Sequence, residues 1–365
     1  MWLTETHIPQ PKEIREADDR LDVRTFIGDA SQGIAYRWTG DFHRAKDFLI
    51  ALNKRIDKSQ SEQRLKQGAK ALSLKEKFHL HRQSQASRAR LQARLLIRVE
   101  PDLKIDLKRA PDVSQALRAA LEHVPGESFD LSLRELLGMI GAHEWRKKGL
   151  LVPALGEKIH SHYGVFAPVR GEYLDLVAEA KLPSRCETAF DIGTGTGVLA
   201  AILAKRGLSK IVATDSESRA LRCAKENIVR LGYEKQVEFL ATEFFPPGQA
   251  DLIVCNPPWV PARPTSRLEN AVYDFESSML RGFLKDAGAH LNDNGEVWLI
   301  LSDLAELLGL RAPEDLPTWI TSAGLEVVEV LSTSPRHPKS KDDSDPLFEV
   351  RSQETTKLWK LRLKS

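Results

Sequence analysis

The chain has 365 residues, of which 42% are hydrophobic and 28% charged, with a formal net charge of +2. This composition is typical of a globular protein and excludes a disordered or fibrous chain, while the length exceeds the roughly 100 to 200 residues of one domain. The first residues lack a signal-peptide pattern, no run approaches the roughly 18 apolar residues of a spanning helix, and the three cysteines are too scattered for a zinc knuckle or a disulfide framework. We expect a two-domain cytoplasmic protein without a membrane segment.

The small net charge conceals an asymmetry along the chain. Residues 1–150 carry 28 basic and 21 acidic side chains, and the remainder has an acidic excess. Within residues 51–100 there are 13 basic and 4 acidic side chains, and the basic ones concentrate between Lys54 and Arg98. This stretch is either a solvated helical surface or a binding surface for the phosphate backbone of a nucleic acid.

The first 160 residues are predicted to form a mainly helical, basic domain. Apolar residues recur at helical spacing in 42–52, 116–124 and 131–140, and Asp130 is expected to cap the last of these helices. Strands are scarce there, although 93–99 and 103–107 could pair. We expect this domain to recognise a substrate.

Residues 161–365 show a different pattern, in which short β-branched runs alternate with amphipathic helices. The predicted strands are Thr188–Ile192, Lys210–Thr214, Val237–Leu240, Asp251–Cys255, Glu296–Leu301, Leu325–Leu331 and Leu358–Leu363. Helices are predicted at Val198–Lys205, Ser218–Leu231, Phe275–His290 and Leu304–Gly309. The pattern predicts an α/β fold with a doubly wound, Rossmann-like sheet of seven strands. The connection from Ser332 to Pro346 is too polar for a crossover helix, so the last strand is predicted to be antiparallel.

A glycine loop stands between the first of these strands and the helix that follows it. Gly193, Gly195 and Gly197 allow a tight turn and a close approach of a ligand to the backbone, and the helix offers unpaired amides. Asp215 ends the second strand, 24 residues after Asp191, where a carboxylate can accept both hydroxyls of a ribose. The combination predicts a cofactor that contains a nucleoside.

The spacing of the glycines distinguishes a dinucleotide site from a methyl-donor site. Dinucleotide sites favour GxGxxG, whereas this loop is GxGxG preceded by Asp191, which resembles the first motif of the class I S-adenosylmethionine-dependent methyltransferases. The resemblance implies S-adenosyl-L-methionine as the cofactor. It implies that Asp191 and the loop with Thr194 orient the methionine end, that Asp215 holds the ribose, and that Glu243 reaches the adenine amine. Glu243 could instead be an ordinary surface carboxylate.

A second motif, Asn256-Pro257-Pro258-Trp259, stands at the carboxyl end of the fourth predicted strand, the side on which such sheets bind ligands. An amide or base amine is a poor nucleophile because its lone pair is delocalised. The Asn256 side-chain oxygen and the Pro257 carbonyl could accept its two hydrogens and direct the lone pair at the methyl group. Trp259 could stack on a planar acceptor and exclude water.

This motif resembles the N-P-P-aromatic motif of the methyltransferases that act on adenine, guanine or glutamine nitrogens. In the adenine and glutamine members, a segment before the first strand closes over the donor, and residues 163–173 are similar to it. The resemblance makes Phe166 a candidate donor contact and Arg170 a candidate partner of the donor's carboxylate. A turn that only packs aromatic residues on the sheet is the alternative.

Several acceptors fit these motifs. The leading interpretation is a base amine in RNA or DNA, gripped through the basic stretch and turned out of its stack. The alternatives are a glutamine side chain of a translation factor or ribosomal protein, a small molecule, and a non-catalytic binding module, which would be expected to carry a degraded motif. No metal ligand pattern occurs among the ten histidines, and the sulfonium leaving group requires no metal.

Overall fold

The computed structural model of the chain describes residues 1–66, 72–335 and 347–364. The chain divides into two compact units, residues 1–144 and 145–365. The second unit thus begins before the predicted boundary at residue 160. None of the helices in the described residues combines the length and the apolar character that a membrane span requires.

The first unit contains a five-stranded sheet that the sequence analysis missed. Its elements are β1 (Trp2–Leu3), β2 (Glu13–Ala17), α1 (Val23–Gln32), β3 (Ile34–Trp38), α2 (Phe42–Lys66), α3 (Leu74–Gln92), β4 (Leu95–Val99), α4 (Ser114–Ala120), β5 (Phe129–Ser132) and α5 (Leu133–Lys148), which ends in the second unit. The strand order is β1–β5–β4–β3–β2, and only β4 and β5 are antiparallel neighbours. Of the two strands considered possible, β4 lies within 93–99, and 103–107 forms none.

Asp130 does not cap a helix as predicted. It lies in β5, where its carboxylate accepts two hydrogen bonds of 2.8 Å from the guanidinium of Arg37 in β3. Helix α5 begins beside Ser132, whose hydroxyl accepts a hydrogen bond from the Glu135 amide at 3.2 Å and donates to the Glu135 carboxylate at 2.7 Å. The carboxylate of Asp130 has an ion-pair partner distant in sequence, and such a partner is invisible to a local pattern.

The second unit is built from strands that alternate with helices. Its elements after α5 are β6 (Leu150–Val152), β7 (Glu157–Ile159), α6 (Glu172–Glu179), β8 (Thr188–Ile192), α7 (Val198–Lys205), β9 (Lys210–Asp215), α8 (Ser218–Leu231), β10 (Val237–Ala241), β11 (Ala250–Cys255), α9 (Ser278–Ala287), β12 (Leu291–Ser302), α10 (Leu304–Leu307), α11 (Asp315–Ser322), β13 (Leu325–Thr333), α12 (Phe348–Arg351) and β14 (Thr356–Leu363). Strands β6 and β7 form a separate antiparallel hairpin. Short 3-10 turns flank α9 at 275–277 and 288–290.

The predicted α/β fold is confirmed. The sheet has seven strands in the order β10–β9–β8–β11–β12–β14–β13, in which β14 runs antiparallel to both of its neighbours and the other pairs are parallel. The order reverses between β8 and β11, which is the switch point where such sheets bind ligands. Part of the polar connection that led to the antiparallel prediction, residues 336–346, lies outside the described residues.

Alternate residues of the central strands face two separate cores. Val254 of β11 packs with α7 and α8 on one face, whereas Ile253 and Cys255 pack with α9 and α11 on the other. All four of these helices therefore cover the sheet, as the near-continuous apolar strands require. The polar side chains at the carboxyl ends of β8, β9 and β11 are left at one edge, and this edge carries the candidate site.

Candidate functional site

The register of the sheet brings the first predicted motif together with Asp215. Ile192 of β8 pairs with Thr214 of β9, so Gly193, the first residue beyond β8, lies beside Asp215, the last residue of β9. The amide of Thr194 donates to the Thr214 carbonyl at 2.8 Å and continues the ladder beyond the strand. The glycine loop is therefore anchored to the end of the strand that carries the acid.

The second motif leaves the sheet on the other side of the same loop. Cys255 of β11 pairs with Ile192 of β8, so Asn256 and Gly193 are the first residues beyond two neighbouring strands. Because parallel strands end at a common edge, the two sequence motifs lie together although residues 198–255 separate them in sequence.

The three glycines all adopt left-handed backbone angles, with φ of 71° at Gly193, 55° at Gly195 and 78° at Gly197. A Cβ at Gly197 would approach the backbone of Ala224 to 3.1 Å, so this glycine allows helix α8 to pack closely. A Cβ at Gly195 would meet only the Gly193 carbonyl, 4.0 Å away. Gly195 thus presents bare backbone to open space, which suits the approach of a ligand.

Asp215 organises the loop as well as facing the site. One carboxylate oxygen accepts a hydrogen bond from the Gly195 amide at 3.0 Å, and the other accepts from the Glu217 amide at 2.9 Å. Burial raises the pKa of Asp215, and the backbone hydrogen bonds oppose this rise. Its carboxylate oxygens retain lone pairs that can accept further hydrogen bonds.

Asp191 is fully buried beneath the loop. Its Oδ2 accepts hydrogen bonds from the Thr194 hydroxyl at 2.6 Å and the Ala200 amide at 3.1 Å, whereas its Oδ1 is buried without a hydrogen-bond partner in the described residues. Burial raises the pKa of Asp191 to about 6, against the opposing effect of those hydrogen bonds. A buried carboxylate with a vacant oxygen is costly unless a donor reaches it.

The side chains of the second motif are bonded to each other. The indole Nε1 of Trp259 donates to Oδ1 of Asn256 at 2.8 Å. The ring of Trp259 also meets the buried ring of Tyr173 edge to face, with centroids 6.3 Å apart. The oxygen predicted to bind the acceptor is therefore oriented by the aromatic residue predicted to stack on it.

Tyr173 and Glu172 are candidate site residues that the sequence pattern did not reveal. Tyr173 stands in the first turn of α6, where burial raises the pKa of its hydroxyl, the Asp191 charge adds to this rise and a hydrogen bond with Asn256 opposes it. Glu172 is 5% exposed, and its Oε1 is buried without a hydrogen-bond partner in the described part of the chain. Both lie within the predicted segment 163–173, but nothing in the sequence pointed to the fold-back of α6 onto Trp259.

Arg170 has a protein partner. Its Nη1 donates to both carboxylate oxygens of Glu354, at 3.0 and 2.9 Å, and Glu354 also accepts from the Ser302 hydroxyl at 2.6 Å. The Glu354 side chain is fully buried. The pair ties the segment before α6 to the start of β14, and the predicted contact of Arg170 with the donor's carboxylate stays a prediction.

The remaining predicted residues differ in their surroundings. Glu243 follows β10 and is exposed, and Phe166 is half-buried. Pro257 is buried, whereas Pro258 is half-buried. The roles assigned to these four residues stay predictions. In the described residues, no group of three or more His, Cys, Asp or Glu side chains is arranged to hold a metal ion.

Comparison with known sequences yields a family match over the site. Residues 157–307 match the family described as methyltransferase small domain. The chain is 31% identical over 173 residues to the tRNA1(Val) (adenine(37)-N6)-methyltransferase of Glaesserella parasuis, covering 42% of this chain and 72% of that protein. It is 31% identical over 167 residues to the release factor glutamine methyltransferase of Cereibacter sphaeroides, covering 42% of this chain and 58% of that protein. The chain thus spans little more than half of that relative's length.

Solved structures give weaker matches. A methyltransferase from Pyrococcus furiosus is 17% identical with a TM-score of 0.41, and the match covers 62% of this chain and 98% of that one. The ribosomal protein L11 methylase from Lactobacillus delbrueckii is 18% identical with a TM-score of 0.37, covering 55% of this chain and 82% of that one.

Proposed function

The chain belongs to the methyltransferase small domain family of class I methyltransferases, and from this premise we propose that it transfers a methyl group from S-adenosyl-L-methionine to a planar amino or amide nitrogen. The observation that carries the proposal is the register that sets Asn256 beside Gly193 at the switch point of the sheet. A donor on the glycine loop and a nitrogen held by Asn256 would then be neighbours.

The chemistry of the loop fits the donor. S-adenosylmethionine has a ribose with two hydroxyls. The carboxylate of Asp215, at the end of β9, can accept hydrogen bonds from both. S-adenosylmethionine also has an ammonium group. The buried oxygens Asp191 Oδ1 and Glu172 Oε1 have no hydrogen-bond partner in the described residues and can accept hydrogen bonds from it. Bare backbone at Gly195 leaves room for a close approach. Glu172 therefore joins Asp191 as a proposed donor contact.

Bound in this way, the donor supplies a methyl group on a positively charged sulfur, which is already a good leaving group. The work of the protein is to prepare the nitrogen. Asn256 Oδ1 uses one lone pair for the Trp259 N–H and keeps the other for an acceptor N–H, while the Pro257 carbonyl takes the second N–H. These contacts favour a pyramidal nitrogen, so they stabilise the transition state more than the ground state.

We infer that the acceptor is a base amine in RNA. The names of the adenine methyltransferases among the relatives support this choice, as does the basic stretch between Lys54 and Arg98. Lys54, Arg55 and Lys58 are exposed on α2, where they could contact phosphates.

The basic stretch is not a uniform charged surface. Arg94 is buried and donates to the Pro9 carbonyl at 3.1 Å, and Arg88 of α3 forms an ion pair with Asp57 of α2. These side chains stabilise the first unit. Residues 67–71 of the predicted stretch lie outside the described residues.

A glutamine side-chain amide is the second candidate acceptor, because release factor glutamine methyltransferases also stand among the relatives. Both acceptors present a planar N–H₂ group to the same two oxygens. The test is methyl transfer from isotopically labelled S-adenosylmethionine to total RNA and to a ribosomal protein fraction in parallel. Label in RNA supports the leading proposal, label only in protein supports the alternative, and label in neither, with intact donor binding, contradicts both.

A further inference from the structure

The segment that follows Trp259 carries an exposed aromatic residue with a cation stacked on it. The guanidinium carbon of Arg263 lies 4.2 Å from the ring centroid of Phe275, and Phe275 remains 38% exposed. We propose that this Arg263–Phe275 stack binds an unpaired nucleotide that flanks the methylated base of a single-stranded RNA. The inference rests on the proposed RNA acceptor and deepens it.

The stack is held next to the second motif by backbone contacts. Val260, the residue after Trp259, donates its amide to the Val272 carbonyl at 3.2 Å, and its own carbonyl accepts from the Asp274 amide at 2.9 Å. These bonds close the segment 260–274 into a loop whose two ends meet beside Trp259. Phe275 therefore follows directly from a point fixed to the acceptor motif.

The residues that follow this segment lead to the glycine loop. Asp274 is 5% exposed and caps helix α9: its carboxylate accepts from the Ser278 hydroxyl at 3.0 Å, the Met279 amide at 2.9 Å and the Leu280 amide at 3.0 Å. Met279 lies over the glycine loop, since a Cβ at Gly193 would stand 3.6 Å from its methyl group. The chain from Val260 to Met279 thus connects the second motif with the glycine loop.

The two residues directly after Phe275 have strained backbone conformations. Glu276 and Ser277 have φ of 57° and 52°, a left-handed conformation that non-glycine residues rarely adopt and here adopt in succession. Such conformations cost free energy and persist only where surrounding contacts fix them, as the Asp274 cap does here. These two residues form the turn between Phe275 and helix α9.

The chemistry of the stack suits a nucleotide. Single-stranded RNA is bound by stacking unpaired bases on aromatic rings or on guanidinium planes, and by cations near the phosphates. Arg263 and Phe275 supply both surfaces at one point, and both side chains are exposed. The amino group of a base can reach Asn256 only if that base is unstacked from its neighbours. Stacking of a flanking base on Arg263 and Phe275 would keep the strand unstacked at this point.

The proposal is tested with the full-length protein and a single-stranded oligoadenylate in which one 2-aminopurine is flanked by uridines. Uridines stack weakly, so its fluorescence is high in the free strand and is quenched by stacking on an aromatic ring. Phe275→Ala should weaken binding about 5- to 100-fold and abolish the quenching, since one stacked base is lost. Phe275→Leu retains the apolar volume without the π-face and should show the same loss. Arg263→Lys retains the charge but not the plane and should be intermediate.

Leu268→Ala is the matched control, because Leu268 is also exposed, at 48%, on the same segment but outside the stack. It should bind the oligoadenylate like the wild type. Calorimetry with S-adenosylhomocysteine should give one affinity for all variants and shows that each is folded. Wild-type affinity and quenching in Phe275→Leu overturn the stack alone. A wild-type protein that binds S-adenosylhomocysteine but not the oligoadenylate overturns both the stack and the RNA acceptor.

Discussion

Trp259 donates its indole N–H to the side-chain oxygen of Asn256 at 2.8 Å, so the last residue of the second motif orients the first. The sequence predicts separate tasks for the two residues, stacking for Trp259 and hydrogen bonding for Asn256. The bond means that a change at the tryptophan also releases the amide. In the proposed mechanism, the chemical step and acceptor binding are therefore coupled through one side chain.

Replacing Trp259 by Phe separates these contributions, since the ring remains and the N–H is lost. We expect the single-turnover rate to fall about 2- to 10-fold, the worth of one hydrogen bond, with little change in acceptor affinity. Trp319→Phe on α11 is the matched control and should have no effect on the rate. An unchanged rate in Trp259→Phe would show that the indole N–H does not orient Asn256.

Loss of the Asp215 carboxylate should weaken donor binding. Asp215→Ala removes the proposed ribose acceptor and the partner of the Gly195 amide, so calorimetry with S-adenosylhomocysteine should show a loss of about 1 to 3 kcal/mol. Glu217→Ala is the control, because Glu217 contacts Asp215 through its backbone amide, which the substitution keeps. Equal affinities in wild type and Asp215→Ala would remove Asp215 from the donor site.

The buried carboxylate of Asp191 destabilises the fold when it is charged. Its pKa is raised by burial from 3.8 to about 6, so the folded chain binds this proton more tightly than the unfolded chain. The free energy of unfolding therefore falls as the pH rises between these values, and the charge is destabilising at neutral pH.

Asp191→Asn removes this charge but keeps an oxygen for Thr194 and Ala200. We expect the free energy of unfolding of the donor-free protein to rise by on the order of 1 to 3 kcal/mol at neutral pH, and this gain to vanish as the pH falls towards 4. Affinity for S-adenosylhomocysteine should fall in the same variant. Asp286→Asn, at an exposed position, should change neither property. Thermal unfolding at several pH values measures these stability changes. An Asp191→Asn protein that is less stable than the wild type at neutral pH would contradict this account.

The basic stretch should act on the acceptor and not on the donor. Neutralising Lys54, Arg55 and Lys58 together should reduce the salt dependence of RNA binding by about one unit of slope for each phosphate that these side chains neutralise. A triple variant at Lys210, Lys225 and Lys235, which removes the same charge from exposed positions of the second unit, is the control. Identical salt dependence of RNA binding for wild type and the α2 variant would show that the stretch is an ordinary solvated surface.

The sheet and the two motifs were predictable because their information is local. Strands β8 and β11 are short, mostly apolar runs, and Gly193 and Asn256 stand directly after them. Once the strands are taken as parallel neighbours, their carboxyl ends must meet at one edge, and the observed register of Cys255 with Ile192 places both motifs there. The antiparallel β14 was predicted from the polarity of the connection before it.

What escaped prediction depends on contacts between distant residues. Arg170 was assigned to the donor because a guanidinium suits a carboxylate, but the carboxylate it meets is Glu354, which is 184 residues away in sequence. Tyr173 is an ordinary apolar position of a short helix until α6 is placed against Trp259. The strands of the first unit are two to five residues long and pair across large sequence separations, which no periodicity reveals.

The most direct test of the central claim is the atom that receives the methyl group. Methyl-labelled S-adenosylmethionine, wild-type or Asn256→Ala protein, and RNA and protein fractions would be incubated, and the labelled nucleosides and amino acids identified by mass spectrometry. We predict label on the exocyclic nitrogen of a base, with a single-turnover rate about a hundredfold lower in Asn256→Ala and unchanged affinity for S-adenosylhomocysteine. Label on carbon or oxygen, or full-speed transfer by Asn256→Ala, would contradict the account.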